Sequence, residues 1–405
     1  MQAQGTDCTS TRNRMVFMRL YNLFLLMFLQ VPKFRGAGLF FYGILGPVIL
    51  GALGANYAFA DFNFPAVGDW GCNSNTQQTV NNINSKGPER VLALGDYSYQ
   101  SSATCWLNAV DDFDSRMRIA IGNHEDDDNE AYSTYKSHFN LGNPYYSFNY
   151  NNVHFLVMDT DRTSFSSGSS QNTFVKNDLQ AAKANSAIKW IIVYMHKPMY
   201  TSPNTCSSSG CTNGGSTATS LRNTYHKLFD DNNVDVVLQG HVHNAQRTFP
   251  IKYSGGSTPT KTSSSTTDYN DPQGEIFSVV GTGGINFHGL SGKPSWVRFQ
   301  QDDDFGILDI KITNNGYKLE GRYHTNGGTQ LDKFTITKTG PASYSFGPSL
   351  TLSGENAESN VQSNDENTAN SNDNIGELPG QSQGQGKGLN CEHFTQQGPM
   401  RCREE

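Results

Sequence analysis

The stretch Leu94-Gly95-Asp96-Tyr97-Ser98-Tyr99-Gln100 follows three apolar residues, Val91, Leu92 and Ala93. A short apolar run closed by Gly-Asp reads as a buried strand whose carboxyl end opens into a polar loop. Such strands belong to parallel sheets, and in an open α/β sheet ligands gather beyond the carboxyl ends of the strands. Asp96 therefore stands where a functional group would stand. Tyr99 is either a packing aromatic or a second functional group beside it. Tyr97, one residue from Asp96, is expected to point to the opposite face.

Four other apolar runs end the same way. FPAVGD closes on Asp69, and MRIAIGNHE closes on Asn123, His124 and Glu125. KWIIVYMH closes on His196, and VDVVLQGHVH closes on His241 and His243. Carboxylate, imidazole, amide and phenol together are hard and borderline donors suited to metal ions. One such strand end is weak evidence, because Gly-Asp is a common turn and a lone histidine is usually structural. Five in series carry more weight. The remaining histidines, His288 among them, lack this setting and read as structural or exposed.

Helical patterns over 76–85, 171–184 and 217–229 alternate with these runs, which predicts a largely parallel buried sheet. Residues 145–150 and 153–159 read as a hairpin around Asn151-Asn152. Runs at 276–280, 297–300, 305–312, 317–323 and 333–338 read as antiparallel strands of a second sheet packed on the first. Residues 254–273 read as a polar loop.

The chain has 405 residues, 17% of them charged, and a formal charge of −7. Residues 1–60 hold five basic residues and one acid, which leaves 25 basic and 36 acidic residues beyond them. That balance excludes nucleic acid as a bulk partner, since phosphate backbones require clustered Lys and Arg. Residues 36–60 are uncharged, follow Lys33 and Arg35, and end in Ala58-Phe59-Ala60. They read as a signal peptide, or as a membrane leader that anchors the chain. Either way the expected location is secreted or at the extracellular cell surface. Six cysteines follow the leader, and pairing in chain order gives Cys72–Cys105, Cys206–Cys211 and Cys391–Cys402. The organisation expected is a leader over 1–60, a catalytic domain over 61–345 and a Ser/Asn/Gln/Gly-rich disordered tail over 346–405.

Asp69-Trp70-Gly71, Gly95-Asp96-x-x-Tyr99, Gly122-Asn123-His124-Glu125, Val193-x-x-His196 and Gly240-His241-x-His243 resemble the five motif blocks of the purple acid phosphatases. These belong to the calcineurin-like metallophosphoesterase superfamily. The resemblance covers about residues 62–290. It implies an α/β fold, a four-layer αββα sandwich of two mixed sheets flanked by helices. It implies an acid phosphatase that hydrolyses small-molecule phosphate monoesters by metal-bound hydroxide at a binuclear Fe(III)–M(II) centre. Asp69, Tyr99 and His243 would hold the ferric ion. Asn123, His196 and His241 would hold a divalent Fe, Zn or Mn, and Asp96 would bridge the two. His124 would act on the substrate phosphate or the leaving oxygen, with Glu125 orienting it.

One departure stands out: the family's further histidine after the His196 block is absent, which leaves Lys197, Tyr200 or an ordered water to substitute, or a leaving group that needs no acid there. A Mn/Zn-dependent phosphodiesterase or nucleotidase of the same superfamily is the alternative enzyme reading. A binding module on a decayed scaffold is the non-enzymatic one, and the seven filled ligand positions weigh against it.

Overall fold

The computed structural model describes residues 60–127, 129–208 and 210–340, with the side chains of 126, 127, 129 and 130 excepted. The leader up to residue 59, the tail from 341 and the Cys391–Cys402 pairing lie outside these residues. Among the described residues no helix is long and apolar enough to cross a membrane.

Two seven-stranded mixed sheets dominate the domain. The first runs Asp268–Asn270, Gln330–Thr337, Lys318–Thr325, Gly306–Thr313, Phe62–Val67, Val91–Ala93, Met117–Ile119. Its last three strands are parallel, and Gly306–Thr313 joins Phe62–Val67 antiparallel. The second runs Val297–Gln301, Ala245–Thr248, Ile276–Val280, Val236–Gln239, Trp190–Tyr194, Val153–Val157, Tyr146–Tyr150. Its centre, from Ile276–Val280 to Val153–Val157, is parallel.

The expected βα alternation is present, and so is the Tyr146–Tyr150/Val153–Val157 hairpin. The assignment of the late strands to a sheet of their own is corrected. Gly306–Thr313, Lys318–Thr325 and Gln330–Thr337 extend the first sheet, whereas Ile276–Val280 and Val297–Gln301 extend the second. Local alternation states that a strand has one buried face; it does not state which neighbour the strand pairs with. The supposed loop 254–273 also contains a strand, Asp268–Asn270, which pairs parallel with Gln330–Thr337.

The sheets pack face to face. Phe64 from the first meets Phe155 from the second edge-on, with ring centroids 5.1 Å apart, and one buried cluster includes Val67, Ile192 and Leu238. Helix Ser74–Lys86 lies against Gly306–Thr313, and helix Ser170–Ala184 lies against Val153–Val157. Each helix starts on a side chain that satisfies free backbone donors. Asn73 Oδ1 accepts from the N–H groups of Asn75 and Thr76, and Ser169 Oγ accepts from Asn172. Val175 and Leu179 of the second helix cover the outer face of the second sheet.

The two sheets are also joined by a buried ion pair. Arg247 Nε and Nη2 donate to Asp332 Oδ2 and Oδ1 at 2.5 and 2.9 Å. Removing one partner strands a guanidinium in the core, which costs about 3–5 kcal/mol. Asp332→Ala is therefore expected to lower the unfolding free energy, read by denaturant titration, by an amount in that range. A shift below about 1 kcal/mol would show that the pair does not tie the sheets.

Candidate metal centre

The five chemistry-bearing strand ends meet at one edge of the sandwich. The loop after Phe62–Val67 is laced to the loop after Val91–Ala93 by backbone bonds: Asp69, Trp70 and Gly71 donate to the carbonyls of Gly95, Asp96 and Tyr97 at 3.0, 2.9 and 2.7 Å. Asp69, Asp96, Tyr99 and His241 all have positive φ, at 61°, 55°, 54° and 68°. This conformation costs about 1–3 kcal/mol at a non-glycine residue and concentrates at functional sites. Close approach is bought by glycine. A Cβ on Gly95 would lie 2.6 Å from His196 Nδ1, and one on Gly122 would collide with Asp96 Oδ1.

Seven donors form two groups with Asp96 between them. In the first, Tyr99 Oη lies 3.3 Å from Asp69 Oδ1 and 3.1 Å from His243 Nε2, and His243 Nε2 lies 3.4 Å from Asp69 Oδ1. In the second, His196 Nε2 lies 3.2 Å from Asn123 Oδ1 and 3.1 Å from His241 Nδ1. Asp96 Oδ2 is 3.2 Å from His196 Nε2 and 3.3 Å from Tyr99 Oη.

These donors suit cations better than one another. His196 Nδ1 donates to the Leu94 carbonyl at 2.8 Å, and His243 Nδ1 donates to that of Asn286 at 2.7 Å. Each bond fixes the ring and turns its Nε2 lone pair toward carboxylate and phenol oxygens, as metal-binding histidines are commonly oriented. Donor separations of 3.1–3.4 Å are those of ligands about 2.1 Å from a shared ion.

The electrostatics point the same way. Burial opposes a charge on His196, but Asp96 outweighs it and pushes the imidazole up to about 10. Burial would likewise raise Asp96, yet His196 and then His124 hold it well below the carboxylate range. Burial, then Asp69 and Asp96, push the Tyr99 phenol well above its ordinary value. Tyr99 thus becomes a phenolate only beside a strongly charged cation.

His124 stands at the open side of the cluster. Its side chain is 43% exposed, its Nε2 is 4.0 Å from Asp96 Oδ2, and its ring lies 4.1 Å from that of Tyr99. Glu125 makes its hydrogen bonds to backbone rather than to that ring. Its buried carboxylate accepts from the backbone N–H groups of Asp96, Tyr97 and Gly122 at 2.9, 2.8 and 2.9 Å. It braces the Asp96 loop from behind. Tyr97 packs in the core, stacked on Trp106 at 4.2 Å.

Lys197 is paired with Asp161, and Tyr200 bonds His226 at 2.7 Å rather than facing the cluster. Two further residues stand at the site: Ser208, which the sequence did not single out, and His288, which it left as structural or exposed. Ser208 Oγ lies 3.1 Å from His241 Nε2, on the loop closed by the Cys206–Cys211 disulfide. His288 stacks on His243 at 3.9 Å and accepts from its backbone N–H. Neither follows an apolar strand directly, so no local signal marks them. The Cys72–Cys105 disulfide is also present, and it joins the Asp69 loop to the start of helix Thr104–Val110.

The calcineurin-like phosphoesterase family model matches residues 61–245. Among curated proteins it is similar to purple acid phosphatase 22 of Arabidopsis thaliana, 27% identical over 286 residues, covering 65% of this chain and 60% of that one. It is equally similar to a protein of the same plant named probable inactive purple acid phosphatase 1, 27% identical over 293 residues, covering 65% and 45%. The chain spans about half the length of the curated relatives it matches. Among solved structures it shares the fold of purple acid phosphatase PPD1 from yellow lupin (Lupinus luteus) seeds. The TM-score is 0.58 at 20% identity, over 69% of this chain and 54% of that one. The two mixed sheets and flanking helices are those of the metallophosphoesterase fold. That family implies a two-metal centre.

If Glu125 is a brace, Glu125→Gln turns an amide N–H₂ toward backbone donors and loosens the Asp96 loop. Metal affinity is expected to fall about 10–100-fold, as for other groups that orient ligands, read by competition with a chelator. Unchanged affinity with a shifted pH–rate profile would instead give Glu125 a direct acid–base role.

Proposed function

We propose that the chain is an exported acid phosphatase that hydrolyses small-molecule phosphate monoesters with a ferric ion and a divalent ion, Fe, Zn or Mn. The observation that carries the reading is the Tyr99 hydroxyl, within 3.3 Å of Asp69, Asp96 and His243 together. A phenol in a donor set with two carboxylates and an imidazole suits a hard, highly charged ion. Asp69, Tyr99 and His243 would hold the ferric ion, Asn123, His196 and His241 the divalent one, and Asp96 both. When bound, such a pair neutralises phosphoryl oxygens and activates water for in-line attack.

The chain's own groups do the rest. Glu125 and Gly122 fix the Asp96 loop, so the donors need little rearrangement. His124 is the one imidazole of the set that is both close to Asp96 and open to solvent. It is placed to hold a phosphoryl oxygen or to give a proton to the departing alkoxide. Ser208 and His288 flank the two donor groups and shape what can approach them. The uncharged run over 36–60 and the two disulfides support export, either secreted or held at the outer cell surface.

Purified protein is expected to turn over an aryl phosphate monoester with higher kcat/KM than the matching diester. Asp96→Asn is expected to lose bound metal and at least ~10³-fold in rate together. Preference for the diester would favour the phosphodiesterase or nucleotidase reading. No turnover of either by metal-loaded protein would favour a binding role.

A further inference from the structure

Strands Val236–Gln239 and Ile276–Val280 run parallel, with His241 just beyond the carboxyl end of the first. At their amino ends lies a different cluster. Glu275 immediately precedes Ile276–Val280. His226 closes the helical turn Arg222–His226, and Asp230 lies four residues on, in helix Lys227–Asp231. Residues four apart share a helix face, so His226 and Asp230 present their side chains together. At about 3.3 Å per residue, the five-residue strand Ile276–Val280 puts this cluster on the order of 16 Å from the edge that carries the metal centre.

The polar atoms here are buried. His226 and Glu275 are fully buried. His226 Nε2, both carboxylate oxygens of Glu275 and Asp230 Oδ1 make no hydrogen bond of ordinary geometry, and the Glu275 and Asp230 carboxyls face one another within hydrogen-bonding reach. They converge: His226 Nε2 is 3.5 Å from Glu275 Oε1, and one donor atom from each of the three residues lies within 4.8 Å of the others. Their remaining atoms are anchored. Tyr200 Oη bonds His226 Nδ1 at 2.7 Å, and the Tyr253 N–H donates to Asp230 Oδ2 at 3.0 Å.

A fully buried carboxylate, Glu275, facing a second, half-buried one, Asp230, is costly without a cation. Two neighbouring cations, Lys338 and Arg222, are engaged elsewhere. Lys338 pairs with Asp235 at 2.7 Å. Arg222 donates to the Met199 carbonyl and to Thr219 Oγ1. Among the described residues, no lysine or arginine forms an ion pair with Asp230 or Glu275.

We infer that His226, Asp230 and Glu275 bind a structural divalent cation of the zinc type, separate from the metal centre. One imidazole nitrogen and two carboxylate oxygens are a standard ligand set for that ion, with two negative charges to match its own. The 3.5 Å edge between His226 Nε2 and Glu275 Oε1 is close to the roughly 3.4 Å that ligands about 2.1 Å from a tetrahedral ion require. A cleft of about 310 Å³, lined by Asp230, Asp235, Lys252 and Glu275 among others, opens beside the cluster. The ion would fasten helix Lys227–Asp231 to the start of a central strand of the sheet that carries His196 and His241.

The test counts zinc. Full-length protein is equilibrated with zinc chloride, desalted and assayed by mass spectrometry for metal per chain. Glu275→Gln and His226→Gln are each expected to hold one equivalent fewer than wild type, whatever the metal centre itself retains. Equal counts in all three proteins would overturn the site and leave Glu275 and Asp230 sharing a proton. If a variant does not fold, an anomalous difference map of wild-type crystals at the zinc edge decides. A peak beside His226 Nε2 is expected, and none there with the metal centre occupied would contradict the inference.

Discussion

One oxygen of Asp96 lies 3.2 Å from a buried imidazole and 3.3 Å from a phenol, and much of the domain is arranged to keep it there. The residue sits at positive φ, its backbone N–H bound by Glu125 and its other oxygen bound by the His124 N–H at 2.9 Å. Glycine at 95 and 122 lets His196 and the neighbouring backbone close in. Asp69, on the adjacent strand end, then accepts the His241 N–H at 2.8 Å, which carries the network into the second sheet. Two sheets that share an apolar core thus also share a polar edge. Strain of about 1–3 kcal/mol at each positive-φ residue is offset by this lattice of buried hydrogen bonds.

The donors themselves were legible in the sequence, because each follows an apolar run that stops abruptly, and strand polarity sends such ends to one edge. The spacing of Asp96 and Tyr99 also separated Tyr99 from Tyr97: one reaches Asp69 and His243, the other stacks on Trp106. What stayed hidden depends on long-range closure. Ser208 and His288 arrive on loops whose positions are set by a disulfide and by pairing far from the motifs. Glu125 sits in the most conspicuous motif, yet its partners are backbone amides, which a side-chain pattern does not reveal. Strand Ala245–Thr248, directly after the His243 motif, was hidden too. It is short and polar in sequence but buried between two neighbours.

The same limit explains the strands that changed sheets. Residues 306–337 have the alternation of an antiparallel meander, and they form one. Nothing local indicated that the meander would attach to Phe62–Val67 at the amino-terminal end of the domain. The outcome is functional as well as architectural. It leaves the parallel strands central in the second sheet, with the metal-donor edge at their carboxyl ends and the His226–Asp230–Glu275 cluster at their amino ends.

The central claim is that Tyr99 binds a ferric ion as a phenolate. Iron analysis and a visible absorption spectrum on one sample, repeated with Tyr99→Phe, test it most directly. The account predicts iron in the wild-type protein and a purple or pink charge-transfer band that the substitution abolishes. A colourless protein fully loaded with zinc or manganese, unchanged by Tyr99→Phe, would contradict it and leave Tyr99 as a packing aromatic beside a different metal pair.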